Sequence, residues 1–378
     1  MGWVFLINGI FTTAGLLNGL LWALLHGGRR IGRCLFLGWL CAVIPAWYYL
    51  WYAKGYSLLP DWTIWPAYIL CGLMVANLIF LLPALCLAVL SIPKKLRPVT
   101  EKLSGAVLVL AALIGIYGAV DGNLREQTEY IDIWSDRIPA GFEGYRIAQM
   151  TDTHIGPYFR YTDLPGEIER ARKAGAKTLF FTGDLIDDVK FMPETAEILA
   201  RSVSLFPDGI IYSWGNHEFY RGKEYIRSEL KKTPVVLLEN QHTVLHRGGD
   251  TLYVAGVDFP FSRGEAEVRE RKEWMDQAYE GVPGGAPSLL LSHCTDFIDD
   301  GFARGVILTM TGHTHGTQIG LLGKPILTPF PYTRGMYSDG THYGYVSRGS
   351  AGWFPFRFGC PRELVIFTLH SGKKPESV

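Results

Sequence analysis

The chain has 378 residues, enough for two domains, and its 36 basic and 36 acidic side chains cancel to a formal net charge of zero. That balance excludes the broad basic field on which nucleic-acid binding leans, so no nucleic-acid partner is expected. Hydrophobic residues make up 48% of the sequence, and they divide it near Val120 into a membrane anchor, residues 1–120, and an α/β domain, residues 121–378.

In the first part no Asp, Glu, Lys or Arg occurs within Met1–Gly28, Cys34–Ala53, Trp62–Pro93 or Leu103–Val120. Each interval is close to the roughly 20 apolar residues that cross a bilayer as a helix. Buried helices of a soluble domain would show polar faces at a 3.6-residue period, and none is visible. An all-α region of four transmembrane helices is therefore expected. The chain start lacks the positive charge of a cleaved signal peptide. Arg29, Arg30 and Arg33 lie between the first two spans, and Lys94, Lys95, Arg97 and Lys102 between the last two. Basic short loops stay cytoplasmic. The expectation is a multi-pass protein of the cell membrane whose second domain is periplasmic or extracellular. Trp47, Tyr48, Tyr49, Trp51 and Tyr52, with Trp62 and Trp65, read as an aromatic belt at the outer interface. Because the spans hold no Asp, Glu, Lys or Arg, they read as an anchor and not as a transport path. Their glycines, Gly72 and Gly115 among them, fit close helix packing.

After Val120 the composition turns polar. Asp121–Gln127 reads as a short tether and Thr128–Ser135 as a strand. The runs Tyr145–Met150, Thr178–Thr182, Ile210–Trp214, Ser288–Ser292 and Val306–Thr311 read as buried strands, being short, apolar and broken by glycine. Leu164–Ala174, Met192–Leu205 and Glu265–Glu280 read as helices, giving the alternation of an α/β unit. Thr251–Val257, Tyr343–Arg348 and Leu364–Leu369 are expected to form a second sheet. Cys294 and Cys360, the two cysteines outside the spans, are either free thiols, the favoured reading, or a pair.

Each of the five buried runs is followed by Asp, Asn or His: Asp152-Thr153-His154, Gly183-Asp184, Gly215-Asn216-His217-Glu218, His293 and Gly312-His313-Thr314-His315-Gly316. If the strands share a sheet, their ends bring these groups to one rim, where they can hold two divalent metals. His313 and His315, two apart on an extended segment, would then point to one side. A single buried histidine is usually a satisfied core residue, but five of the ten histidines fall inside these fragments. The bland explanation fails for the set.

The order and spacing of the fragments resemble the calcineurin-like metallophosphoesterases, with their D-x-H, G-D, G-N-H-[ED], H and G-H-x-H motifs, over roughly Tyr130 to Leu369. Tyr345-Val346-Ser347-Arg348-Gly349 and Phe358-Gly359-Cys360-Pro361-Arg362-Glu363 resemble the bacterial branch that joins membrane spans to this domain. The resemblance implies a sandwich of two packed mixed β-sheets flanked by helices. It implies Asp152, His154 and His315 on one metal, Asn216, His293 and His313 on the other, and Asp184 bridging them. Carboxylate and imidazole donors suit Mn, Fe or Zn. Two such ions lower the pKa of a shared water, so that a metal-bridging hydroxide attacks phosphorus. His217 matches the family's catalytic histidine, which protonates the leaving oxygen, and Asp187 the carboxylate that orients it. Arg160, Arg221 and Arg348 are candidates for contact with the phosphate.

The implied activity is hydrolysis of a phosphomonoester or phosphodiester. A lipid or lipid-linked substrate is expected, because the tether is short and several loops expected near the rim are apolar: Tyr158-Phe159, Phe219-Tyr220, Pro260-Phe261, Phe330-Pro331-Tyr332 and Trp353-Phe354-Pro355-Phe356. One alternative is a pyrophosphate hydrolase of the UDP-2,3-diacylglucosamine type, whose cytoplasmic substrate conflicts with the expected topology. Another is a non-catalytic membrane receptor or scaffold on the same fold, which would be expected to have lost ligands.

Overall fold

The computed structural model describes residues 2–26, 61–352 and 354–374. The chain divides into two compact units, Met1–Leu124 with Phe354–Phe358, and Arg125–Trp353 with Gly359–Val378.

The first unit contains helices α1 (Gly2–Leu25), α2 (Ile64–Leu90) and α3 (Arg97–Leu124). Among the described residues, three stretches are long and apolar enough to cross a membrane: Asn8–Leu25, Ile64–Leu90 and Lys94–Val120. The expected span Cys34–Ala53, the basic residues Arg29, Arg30 and Arg33, and the aromatic run Trp47–Tyr52 lie outside the described residues. Gly72 of α2 and Gly115 of α3 face each other so closely that a Cβ on either would strike the other's backbone. This is the packing expected of small residues between membrane helices. Asn18 of α1 donates its amide to the Asn77 carbonyl of α2 at 2.7 Å. The segment Phe354–Phe358 belongs to this unit: Phe354 stacks on Phe11, Phe358 meets Tyr117 edge-on, and the Arg357 N–H donates to the Gly118 carbonyl.

The sequence boundary at Val120 marks the end of the apolar stretch and not the end of the helix. α3 continues through Asp121–Asn123 to Leu124, and strand β1 (Glu126–Ser135) begins two residues later. The expected seven-residue tether is thus a single residue, Arg125. Polarity reports where an apolar medium would end, and a helix whose hydrogen bonds are internal can run past that point.

The second unit is the expected α/β sandwich. In chain order it contains β2 (Tyr145–Met150), α4 (Leu164–Lys173), β3 (Thr178–Thr182), α5 (Met192–Ser202), β4 (Ile210–Ser213), α6 (Asn216–Arg221), α7 (Lys223–Leu230), β5 (Val236–Leu238), β6 (Gln241–Arg247) and β7 (Asp250–Gly256). Then follow α8 (Glu265–Ala278), β8 (Ser288–Leu291), α9 (Phe297–Arg304), β9 (Leu308–Thr311), the short pair β10 (Gly320–Leu321) and β11 (Lys324–Pro325), β12 (Gly335–Ser338), β13 (Tyr343–Val346) and β14 (Arg362–Ser371). One six-stranded sheet has the order β1-β14-β2-β3-β4-β5 and the other β12-β13-β9-β8-β7-β6. Both are mixed: β2, β3, β4 and β5 run parallel, as do β7, β8, β9 and β13, while β14 against β2 and β6 against β7 are antiparallel.

Two expectations are corrected. The five strands that carry the motifs do not share a sheet: β2, β3 and β4 lie in the first and β8 and β9 in the second. The run Leu364–Leu369 belongs to the first sheet, where β14 sits between β1 and β2. Its residues are buried on both faces, so no alternation reveals which neighbours it has.

Ile147, Phe180, Ile211 and Leu238 of the first sheet interdigitate with Val254, Leu289, Leu308 and Met310 of the second. The outer face of the first sheet, with Met150, Phe181 and Tyr212, is covered by Leu164, Ile168, Met192 and Leu199 of α4 and α5. The outer face of the second, with Ala255 and Leu290, is covered by Met275, Ala278 and Phe297 of α8 and α9. Packing the two parallel cores face to face brings the carboxyl ends of β2, β3, β4, β8 and β9 to a common edge.

Candidate metal centre

At that edge each motif residue follows its strand by two to four positions. Asp152 and His154 follow β2, Asp184 follows β3, Asn216 opens α6 after β4, His293 follows β8, and His313 and His315 follow β9. Five of these side chains sit on left-handed backbone: φ is 54° at Asp152, 44° at His154, 55° at Asp184, 72° at His313 and 51° at His315. Residues other than glycine rarely adopt such angles, and a cluster of them marks a site held by its surroundings. His313 and His315 are therefore not two apart on an extended segment. The turns separate their rings, while Thr314 points away and donates to the Thr333 carbonyl. Gly312 and Gly215 are needed for room: a Cβ at Gly312 would strike Thr151 and Asp152, and one at Gly215 would strike Asp184.

The expected ligands form two adjoining groups, Asp152 with His154 and His315, and Asp184 with His293 and His313, and a third group, His154 with Asp184 and His217, joins them. Asp184 belongs to both neighbourhoods, with Oδ2 at 3.0 Å from His293 Nε2 and 3.6 Å from His154 Nε2. Asp152 Oδ1 lies 3.4 Å from His315 Nε2 and 3.8 Å from His293 Nε2. Asn216 Oδ1 lies 2.9 Å from His313 Nδ1. Asp152, His154, Asp184 and His293 are buried to within 2% of completely.

This arrangement calls for added positive charge. Burial by itself would raise the Asp152 and Asp184 carboxyls, yet the surrounding imidazoles outweigh it and hold both below the usual carboxylate range. Burial would lower His154 and His293, yet Asp187 and Asp184 among the facing carboxylates push them up to about 10 and about 9. His313 has burial and His293 against it and falls to about 4. His293 Nδ1 donates to the Thr182 carbonyl at 2.7 Å, which turns the other ring nitrogen toward Asp184. That buried Nε2 has no hydrogen-bond partner among the described residues. Nε2 and Asp184 Oδ2 face each other at 3.0 Å and need a cation between them, which a proton supplies in the metal-free site and a metal ion would supply in the loaded one. The residues present fit two divalent ions.

Residues 145–317 match the family model described as calcineurin-like phosphoesterase. An uncharacterized metallophosphoesterase of Bacillus subtilis (strain 168), YkuE, is 30% identical over 285 residues, 71% of this chain and 94% of that protein. The chain belongs to the calcineurin-like metallophosphoesterases. A transmembrane protein with metallophosphoesterase domain from Danio rerio is 24% identical over 273 residues, 69% of this chain and 61% of that one. A UDP-2,3-diacylglucosamine pyrophosphatase of Chlamydia trachomatis serovar D, LpxG, is 28% identical over 159 residues, 38% of this chain and 44% of that one. The chain is thus a metal-dependent phosphoric ester hydrolase whose cofactors are two divalent metal ions, and its apolar helices mark it as membrane-associated.

Beside these donors stands His217, its side chain 16% exposed where Asp152, His154, Asp184 and His293 are closed off. Its Nδ1 lies 2.5 Å from Asp187 Oδ1, and its Nε2 lies 3.9 Å from Asp184 Oδ2. Asp187 also receives Arg221, whose Nε and Nη2 each lie 3.3 Å from the same oxygen. The other two arginines are placed differently. Arg160 is on the loop after His154, with its backbone N–H given to Asp163. Arg348 holds its guanidinium on the carboxylates of Glu363 and Glu129 and packs beneath Gly316, which makes it a brace for the His313–His315 turn.

Glu218 is a residue to which the sequence assigned no chemistry. It is completely buried, and its carboxylate accepts from the backbone N–H groups of Gly215 (2.8 Å), Asp184 (3.1 Å) and Leu185 (2.6 Å). It ties the loop after β3 to the loop after β4. The signal was its place in Gly-Asn-His-Glu, three residues after Gly215, where a glutamate reaches back to the start of a helix. Cys294 is a buried free thiol and so does not pair with Cys360, which is also buried.

Proposed function

We propose that the protein hydrolyses a lipid or lipid-linked phosphoester at a two-metal centre, with Asp184 as the bridging ligand. The observation that carries this reading is the position of Asp184 between the two donor groups. Asp152, His154 and His315 would hold one ion, and Asn216, His293 and His313 the other. When bound, such a pair acidifies a water and polarises the phosphoryl oxygens. The chain's own residues do the rest. Asp184 Oδ1 accepts the backbone N–H of His217 at 2.8 Å, which ties the proposed bridging carboxylate to the residue that would donate the proton. Asp187 takes the Nδ1 proton of His217, which leaves Nε2 to carry a proton to the leaving oxygen. Arg221, anchored on Asp187, would meet a phosphate oxygen.

His217→Ala is expected to lower turnover by roughly 10²–10⁴-fold, the contribution of a positioned general acid, while both metals remain bound. Steady-state assays with elemental analysis of the same sample check this, and loss of a metal would reassign His217 to ligation.

The lipid reading rests on a run of aromatic rings from the metal centre to the surface. Phe259 stands 4.9 Å from His313 and 5.3 Å from Phe261, and Phe261 lies 5.7 Å from Tyr220, which itself lies 5.7 Å from His217. Phe261 and Tyr220 are exposed at the outer end. Of the other expected loops, Phe330 stands 5.8 Å from His313, whereas two do not contribute as anticipated: Tyr158 and Phe159 are buried as packing, Phe354 and Phe356 belong to the helical unit, and Trp353 lies outside the described residues. Replacing Tyr220 and Phe261 together with serine is expected to reduce hydrolysis of a bilayer phospholipid far more than that of a soluble aryl phosphate. Equal losses on both would reduce the rings to packing. The similarity to LpxG spans under half of that protein, so its substrate is not the reading favoured here.

The basic loops favour an outward-facing α/β unit. A reporter that is active only outside the cytoplasm, fused after Val378, is expected to be active. An inactive fusion would place the site inside and revive a cytoplasmic nucleotide-linked lipid.

A further inference from the structure

Between His315 and Thr333 the chain leaves the metal centre and returns to it, closed by the Thr314–Thr333 hydrogen bond. At the far end of this excursion β10 and β11 pair antiparallel, Gly320 with Pro325 and Leu321 with Lys324. The turn between them is therefore two residues, Leu322-Gly323, with φ of 49° and 80°. A two-residue turn with both φ positive selects Asn-Gly or Asp-Gly, and a leucine in the left-handed region is disfavoured. Here the leucine is at the tip and 93% exposed. Leu321, Ile326 and Leu327 are each more than half exposed as well, and Lys324 is exposed beside them. Single exposed leucines need no explanation, but four large aliphatic residues on one small hairpin form a patch.

The patch is built and not frayed. The Ile326 N–H donates to the Ile319 carbonyl at 3.1 Å, and Thr317 Oγ1 donates to the Leu327 carbonyl at 3.1 Å. Gly320, at its base, lies against Gly359, whose carbonyl also accepts from Arg334. Gly359 follows directly on Phe358 of the helical unit, and Arg362 pairs with Glu126, two residues beyond the end of α3. The base of the hairpin thus rests on Gly359, which adjoins the helical unit in sequence, in a chain whose helices are long and apolar enough to cross a membrane.

We propose that this hairpin docks on the phospholipid bilayer in which the helices stand. Leu321, Leu322, Ile326 and Leu327 enter the boundary between headgroups and acyl chains, and Lys324 meets the headgroup phosphates. Aliphatic side chains around a lysine suit that boundary, where apolar stems sink and an ammonium stays at the polar level. The strained tip is then intelligible, since the backbone cost of Leu322 is offset by an apolar surrounding that asparagine could not use. The same excursion carries Phe330, whose ring stands 5.8 Å from His313. Docking would therefore hold the metal centre near headgroup level, a consequence that rests on the lipid reading above, whereas the docking itself does not.

The test uses the full-length protein in phosphatidylglycerol–phosphatidylethanolamine nanodiscs, with a benzophenone amino acid in place of Leu322. A control carries it in place of Val268, an exposed residue on α8. After irradiation, intact mass should show lipid adducts at position 322 at about ten times the control level or more, as expected for a side chain within the interface. Adducts no more frequent than at the control, or crosslinks to a second copy of the chain, would overturn the proposal. A second arm measures Leu322→Asp with Leu327→Asp on nanodisc phospholipid and on a soluble aryl phosphate. A selective loss on the phospholipid supports both docking and the lipid reading. Unchanged rates on both substrates, with lipid adducts at position 322, leave docking standing and remove the lipid substrate.

Discussion

The Asp184→Asn protein is expected to keep its fold and to lose phosphoester hydrolysis by on the order of 10³-fold or more. Asp184 is buried at the junction of the two donor groups, and Oδ2 faces His154, His217 and His293 at 3.0–3.9 Å. Asparagine has nearly the same shape, and its carbonyl oxygen can still accept the His217 N–H that Oδ1 receives. What it removes is the negative charge available to both ions. The loss should therefore appear in turnover and metal content together, and thermal unfolding should change much less. Rates within tenfold of the unaltered protein would show that Asp184 does not bridge.

Glu218→Ala should act in the opposite way, on the fold first and on activity through it. Removing the carboxylate leaves three buried backbone N–H groups, at Asp184, Leu185 and Gly215, without their acceptor. Each unsatisfied donor costs about 1–3 kcal/mol, so a total on the order of 3 kcal/mol or more is expected. The two loops it joins carry Asp184 and Asn216, and hydrolysis should fall with them. Glu218→Gln, which keeps one acceptor oxygen, should recover part of the stability. Thermal unfolding of the three proteins in the same detergent checks the order. An alanine variant as stable as the parent would mean the three donors find other partners.

Much of the site was legible because parallel strands buried on both faces write continuous apolar runs, and the chemistry sits just past their ends. Tyr145–Met150, Thr178–Thr182 and Ser288–Leu291 are such runs, and Asp152, Asp184 and His293 follow them within two residues. Joining those ends into one rim was the right inference from the wrong sheet. Residue pattern says that a strand is buried, and it does not say which sheet buries it. β14 shows the same limit: its position between β1 and β2 is set by hydrogen-bond register, which composition does not carry.

The left-handed angles at Asp152, His154, Asp184, His313 and His315 were also hidden, since the surroundings impose them against local preference. Glu218 was half legible for a related reason. Its place three residues after Gly215 signals the bond to that backbone N–H, whereas the donors at Asp184 and Leu185 lie on another loop and leave no trace in the sequence. The hairpin at Leu322 escaped notice because Leu-Gly is not a turn signature, and Leu321–Leu327 reads as an ordinary apolar loop.

The central claim, a two-metal phosphoesterase built on these seven ligands, is tested most directly by elemental analysis of the purified full-length protein, on the same sample whose phosphoester hydrolysis is measured before and after chelation. Two first-row divalent ions per chain are expected, with loss of hydrolysis when they are stripped and its return when they are restored. Hydrolysis that survives complete removal of the metals would contradict it.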